Sequence, residues 1–398
     1  MRRVCTDSRC VQPGDLFVAL KGEHFDGDGF AAAALAAGAT AAVGRAEAAA
    51  ALPPEAARIV VDDGLRALQD LATAVRRRTG VKVVAITGSA GKTSTKDILA
   101  ALLRPVARTV ATAANLNNEI GVPLTLLEIE PGTEVAVVEM AMRGAGQIRE
   151  LARVALPDVG VITNVAPVHL ELVGTVEDVA SAKAELIEEL TDGTAVVPAD
   201  EPLLGRHVHR HRGRVVTFGT PDADVHAVEE ERRGESTHVL LDAFGRRARM
   251  DFSFTGGHYL RGAVSALRGG GLLLNDAYNA NPVAMKAAVD HLVAIADGRP
   301  TVAVLGDMYE LGAGAGTYHR AVGEHCAAAG VRLVAVGDLA RDYLTGAPGE
   351  RWFATVDECI AALPDVVPIG SAVLVKASRL MRMERVAETL AAEGAPRA

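Results

Sequence analysis

A chain of 398 residues is too long for one ordinary core, so two or three domains are expected. Its composition, 49% apolar and 23% charged, excludes a disordered chain, and no apolar run is long enough to span a bilayer. The net charge of −9 argues against a general nucleic-acid binder, so an anionic ligand must be met by local cations, amide groups or a metal.

The N-terminus, MRRVCTDSRC, has two arginines and no apolar stretch after them, unlike a secretory signal. Cys5, Cys10, Cys326 and Cys359 form neither a CxxC pair nor a zinc spacing and read as free thiols in a reducing cytosol. Residues 1–80 read as a small α/β unit. Its strands are Leu16–Leu20, Ala41–Val43 and Ile59–Val61, and its helices Phe30–Ala39, stopping at Gly38, and Leu65–Arg78. From Val81 strand and helix alternate. Val83–Thr87, Val135–Glu139 and Val159–Thr163 suit interior parallel strands, and Lys92–Leu103 and Val176–Leu190 suit helices. Between Val215 and Phe254 short alternating runs, such as His238–Leu241 and Met250–Phe254, suggest an antiparallel patch. A third α/β unit begins near Gly271, with Gly269-Gly270-Gly271 as a hinge. Its strands are Leu272–Asn275, Val302–Leu305, Leu333–Val336 and Val373–Val375, and its helices Ala284–Ala296, Tyr318–Ala328 and Met383–Ala392. The alternation implies α/β doubly wound sheets.

The stretch TGSAGKTS follows a strand and opens a helix. Gly88 and Gly91 permit a tight turn whose amides, with those of Ser89, Ala90 and Ser94, converge on an anion near the positive helix end. Lys92 adds a mobile cation, and the Thr93 hydroxyl is placed to reach a magnesium ion on the phosphates. The common phosphate loop wants glycine at position 86, where Ile86 stands, so this is a GxxGKT variant.

Further stretches accompany it: TDSRCVQPGDLFVALKGEHFDGDGF, NLNNEIGVPLTLL, VVEMAMRGAGQI, ITNVAPVHLE, AKAEL, NDAYNANPVAM, LGDMYELG and VKASRLMRMERV. In this order they resemble the Mur ligase family of bacterial cell-wall synthesis over nearly the whole chain. The resemblance implies three domains: a UDP-substrate domain over 1–80, a central ATP-binding domain over 81–270 with a phosphate-loop-like sheet, and a Rossmann-like domain over 271–398. DAYNANP and LGDMYELG look like the subtype that adds D-alanyl-D-alanine to UDP-N-acetylmuramoyl-tripeptide in the cytoplasm, using ATP and Mg2+.

The resemblance also implies roles. Lys92 would hold the phosphates, and Thr93, Glu139 and His169 would bind the metal. Glu139 ends an apolar strand, where a carboxylate opens onto the ligand crevice, although a strand-end glutamate is also compatible with a solvated surface group. Lys183 matches the family lysine that carries carbon dioxide as a carbamate; without that context it reads as a surface lysine paired with nearby glutamates. Asn117 and Asn118 would face substrate and phosphates, and Asp276, Tyr278, Asn279 and Asn281 would lie against the nucleotide. Lys376 and Arg379 would meet substrate, and Asp7, Ser8 and Arg9 the uridine end. Asp and Asn in turns also serve backbone geometry alone.

Three departures stand out. Asp276 follows His258 closely, and Arg261 and Gly262 occupy the place of an expected adenine-side Asn, so the central domain is expected to be shortened at its C-terminal end. The DSR motif comes early, and Ala377 replaces a usual glycine in VKASR. Two other readings therefore remain open: a related amide ligase with a different acceptor, and a non-catalytic paralogue that binds a nucleotide or UDP-sugar.

Overall fold

The computed structural model describes residues 2–23, 25–50, 52–54, 56–233, 236–253, 262–346 and 351–392. Phe254, Gly256, His258 and Arg261 lie outside them. Two compact units form: Met1–Asn164 with Ala180–Val197 and Glu201–Val216, and Val165–Val179 with Pro198–Asp200 and Thr217–Ala398.

In the first unit, β1 (Val4–Cys5), β2 (Leu16–Val18), β3 (Ala41–Gly44) and β4 (Arg58–Val60) pair in sequence order, all parallel. One face of this sheet buries Phe17, Ala31, Ala34 and Ala42. The other buries Val18, Val43 and Leu68, the last from the helix Gly64–Thr79. That helix starts because the Asp63 carboxylate caps the Leu65 and Arg66 amides, and it ends at Gly80 in a left-handed conformation. Ile120, Leu124 and Leu127 pack on the same cluster, so the first sheet and the segment around the helix Gly121–Leu126 share apolar surface. This sharing is why compactness does not divide the chain at residue 80. The helix expected over Phe30–Ala39 is a 3-10 turn, Gly27–Phe30, followed by an α-helix, Ala31–Ala36.

Next come β5 (Lys82–Thr87), β6 (Thr109–Ala111), β7 (Val135–Glu139), β8 (Val159–Ile162), β9 (Thr194–Pro198) and β10 (Val215–Phe218), in the order β10-β9-β8-β5-β7-β6. β5 pairs in parallel with both β7 and β8. Ala85, Ile86, Val137, Val138 and Ile162 are fully buried, as their unbroken apolar runs require of interior parallel strands. The helix Gln147–Ala155 has no counterpart in the sequence reading, although its buried Ile148, Leu151, Ala152 and Ala155 recur at helical spacing.

In the second unit β11 (Val225–Arg233), β12 (Ser236–Ala243) and β13 (Arg246–Ser253) form an antiparallel meander. A six-stranded sheet follows: β14 (Ala263–Ala266), β15 (Leu272–Asn275), β16 (Thr301–Gly306), β17 (Arg332–Val336), β18 (Arg351–Phe353) and β19 (Ala372–Lys376), ordered β14-β15-β19-β16-β17-β18. β14 runs antiparallel to β15, and the other pairs are parallel. The expected hinge at Gly269–Gly271 is instead the turn of the β14–β15 hairpin. All three glycines have positive φ, and a Cβ on Gly271 would lie 2.1 Å from the Ser371 carbonyl oxygen. The third sheet therefore begins at Ala263. Among the described residues no helix is long and apolar enough to cross a membrane.

His319 is fully buried in this unit. Its Nε2 accepts the Met308 amide at 3.0 Å while Nδ1 donates to the Ala315 carbonyl at 2.7 Å, which requires the neutral ring. Burial lowers its pKa below the usual histidine value. Because the unfolded chain takes up the proton first, the stabilisation is complete above about pH 6.5 and declines as pH falls toward the folded value. His319→Gln should therefore show a smaller drop in melting temperature between pH 7 and pH 5 than the parent protein, measured by calorimetry.

Candidate active site

The loop between β5 and the helix Lys92–Leu103 is built by glycine geometry and clamped from β8. Gly88 has φ +151°, and a Cβ on it would fall 1.8 Å from Thr163 Oγ1. That hydroxyl donates to the Ala90 carbonyl at 2.6 Å. The Asn164 side-chain oxygen accepts from the Ser89 and Ala90 amides at 3.1 and 2.9 Å. Gly91, with φ +79°, precedes the helix, and no side chain caps the helix N-terminus. This leaves the first-turn amides and the positive end of the helix dipole for an anion. Lys92 curls back, its Nζ donating to the Gly88 carbonyl at 2.6 Å. Thr163 and Asn164 were not singled out in the sequence, although both lie in the β8-end stretch ITNVAPVHLE.

The Gly88 geometry gives a graded prediction. Gly91→Ala meets only the Thr163 Cβ at 4.0 Å and should cost about 1 kcal/mol of backbone strain. Gly88→Ala must also displace Thr163, so it should cost about 2–4 kcal/mol and weaken ADP binding at least about tenfold. Denaturant melts and calorimetric titration of the two variants would show equal losses if the clamp is unimportant.

Glu139, at the carboxyl end of β7, is 1% exposed. Its Oε1 accepts from Asn117 Nδ2 at 2.7 Å, whereas the buried Oε2 has no hydrogen-bond partner. A buried carboxylate oxygen left unpaired is costly unless a cation completes it. Together with buried Thr93 on the facing helix, this donor set fits a hard divalent ion with oxygen ligands. Asn118 is exposed, and its side-chain oxygen accepts from the Ile120 and Gly121 amides, capping the next helix.

Lys183 is not a surface residue. It is 2% exposed on the helix Val176–Glu188. Burial first, and the nearby Lys92 charge second, hold its pKa well below the usual lysine range. Asp7 and Arg9 form a mutual pair around the turn Ser8–Cys10, and the Arg9 guanidinium pulls the Asp7 carboxyl down to about 2.

In the second unit His169 adopts φ +55°, and its Nδ1 meets the Glu310 carboxylate, itself at φ +64°. Glu310, within LGDMYELG, was missed as a partner of this histidine. Two non-glycine residues in left-handed conformations facing each other store strain of the kind found at functional sites. Lys376 is buried, donating to Asp276 Oδ2 at 2.5 Å and to the Asn279 carbonyl at 2.8 Å, so its ammonium braces the strand-to-helix turn. The Asn281 side chain caps the helix Pro282–Ile295, with Pro282 in its first turn, and Asn279 is exposed. Arg379 is exposed and paired with Glu384 at 2.6 Å.

Three family models match in chain order: "Mur ligase family, catalytic domain" over residues 1–76, "Mur ligase middle domain" over 86–268, and "Mur ligase, glutamate ligase domain" over 263–379. The UDP-N-acetylmuramoyl-tripeptide--D-alanyl-D-alanine ligase of Synechocystis is 35% identical, aligned over 99% of this chain and 92% of its own. A crystal structure of MurF from Acinetobacter baumannii superposes with a TM-score of 0.87 at 30% identity, covering 97% of this chain and 92% of that one. A MurF ligase from Thermotoga maritima in complex with ADP matches with a TM-score of 0.83 at 28% identity, over 98% and 96% of the two chains. Three family models in chain order and matches over nearly the whole length show that the chain belongs to the Mur ligase family, in its MurF branch.

Proposed function

We propose that the protein is an ATP-dependent ligase that joins D-alanyl-D-alanine to UDP-N-acetylmuramoyl-tripeptide in peptidoglycan precursor synthesis. The observation that carries this reading is the buried Lys183, 2% exposed and within reach of the Lys92 charge in one unit with the loop built for phosphate. The tripeptide carboxylate attacks the γ-phosphorus, and the bond to the ADP oxygen breaks. The dipeptide amine then attacks the acyl phosphate carbon, loses a proton and expels inorganic phosphate. Both steps crowd anions together, so charge placement supplies most of the catalysis.

Lys92 leaves the Gly88 carbonyl for the β- and γ-phosphate oxygens, while the first-turn amides of its helix take the remaining charge. Thr93 and Glu139 would hold Mg2+, and His169, oriented by Glu310, would be a further ligand. When bound, the ion neutralises phosphate oxygens. Lys183 acts as its carbamate: the neutral amine adds carbon dioxide and releases a proton, giving a fixed anion. By the family resemblance the turn Asp276–Asn281, braced by Lys376, would face the nucleotide, Asp7, Ser8 and Arg9 would take the uridine end, and Asn117, Asn118 and Arg379 would meet substrate. A cytoplasmic location is supported by the free cysteines, of which Cys5, Cys326 and Cys359 are buried as thiols.

Purified protein supplied with ATP, Mg2+, the UDP-linked tripeptide and D-alanyl-D-alanine should release phosphate only when both acceptor and dipeptide are present. Release with other amines alone would transfer the reading to a different ligase. ATP binding without any turnover would make it a non-catalytic paralogue.

A further inference from the structure

A second lysine lies on the helix that opens the phosphate loop, and nothing in the mechanism above uses it. Thr93, Lys96 and Ala100 form the buried stripe of the helix Lys92–Leu103. Lys96 is 2% exposed on a face where an aliphatic residue would pack against the sheet. Its ammonium donates to the Thr112 carbonyl at 2.8 Å and pairs with Asp97 Oδ1 at 2.7 Å. Desolvating an ammonium costs several kcal/mol, and such a pair is seldom better than well-packed apolar side chains for stability. A buried cation here calls for a reason besides stability.

The contacts of Thr112 supply one. Thr112 is 2% exposed and follows β6. Its amide bonds the Val137 carbonyl at 3.0 Å, and its hydroxyl accepts the Glu139 amide at 3.0 Å. The chain then loops to Asn117, whose side chain holds Glu139 Oε1 and whose carbonyl accepts the Ala141 amide at 2.9 Å. One continuous path therefore runs from the helix bearing Lys92 and Thr93, through Lys96 and Thr112, to the backbone and carboxylate of Glu139.

We infer that Lys96 is a positioning residue: by clamping Thr112 it sets where Glu139 presents its unpaired Oε2, and so tunes divalent-cation affinity at the nucleotide site. Its ammonium is taken up by the Thr112 carbonyl and Asp97, so it acts through them. The inference rests on the metal reading above and adds a residue outside the ligand set. Small displacements of a hard-ion ligand are costly because Mg2+ demands near-ideal geometry, and partners that orient metal ligands typically carry about 10–100-fold in affinity.

The test is calorimetric titration of ADP into the parent protein, Lys96→Met and Thr112→Val, each in EDTA and in saturating Mg2+. In both variants, affinity in EDTA should stay within about twofold of the parent, while the gain on adding Mg2+ should shrink about tenfold or more. The double variant should lose no more than the worse single one, since both cut one path. Thr112→Val keeps Lys96 and removes only the hydroxyl that accepts the Glu139 amide, so it tests the Glu139 end of the path, and Lys96→Gln takes the place of Lys96→Met if that variant does not fold. An unchanged Mg2+ gain beside a lowered melting temperature would make Lys96 merely structural and overturn the inference. An equal loss with and without Mg2+ would also overturn it. If the parent itself shows no Mg2+ gain, the metal reading fails instead, and the inference with it.

Discussion

Lys92→Ala should lower turnover by about a thousandfold or more, with nucleotide affinity also reduced. The ammonium is the mobile charge of the loop, now parked on the Gly88 carbonyl at 2.6 Å, a bond it gives up when phosphate arrives. Removing a comparable preorganised donor from a transition state costs about 10²–10³-fold, and phosphoryl transfer is more sensitive because cations have so much of the catalysis to do. Steady-state phosphate release and ADP titration check this. Lys92→Arg should not rescue fully, since a planar guanidinium cannot replace a compact ammonium in a turn whose next amides are tied to Asn164. A Lys92→Ala protein that turns over within tenfold of the parent would end the phosphate-loop reading.

Lys183→Ala should be as damaging, for a different reason. At pH 7 an ordinary lysine is neutral in only about one molecule in 2,500, and only the neutral amine adds carbon dioxide. Burial and the Lys92 charge lower the Lys183 pKa and so raise that fraction. Once formed, the carbamate replaces a like-charge conflict with an attraction to Lys92. Protein equilibrated with 13C-bicarbonate should therefore give one carbamate resonance that Lys183→Ala lacks. Turnover of that variant should fall about a thousandfold and be restored in part by a small carboxylate such as formate. Carbamate and activity should be lost together as pH falls, because protonation of the amine draws carbon dioxide off. Full activity of Lys183→Ala, or a labelled protein without the resonance, would remove the carbamate from the mechanism.

The sequence by itself determined the alternating plan and the phosphate loop. Runs such as Val135–Glu139 and the stretch Lys92–Leu103 are local signals, and both elements have the bounds expected of them. The glycines of TGSAGKT likewise declare a tight turn through backbone freedom alone. The order of the motifs also placed the chain in its family before any coordinate was known. Tertiary structure alone decided what each polar side chain does. Lys183, given the carbamate role by resemblance and otherwise readable as a solvated lysine, is buried because the helix face it occupies is covered. Lys376 became a brace because Asp276 and the Asn279 carbonyl reach it across the β15 and β19 ends. Gly269–Gly271 became a hairpin turn because Ala263–Ala266 pairs back onto β15. Glu310, Thr163, Asn164 and Lys96 were invisible as functional groups because their partners lie far along the chain or on a facing element. Burial and partnership are long-range properties: local pattern fixes where a side chain starts, and packing decides what it meets.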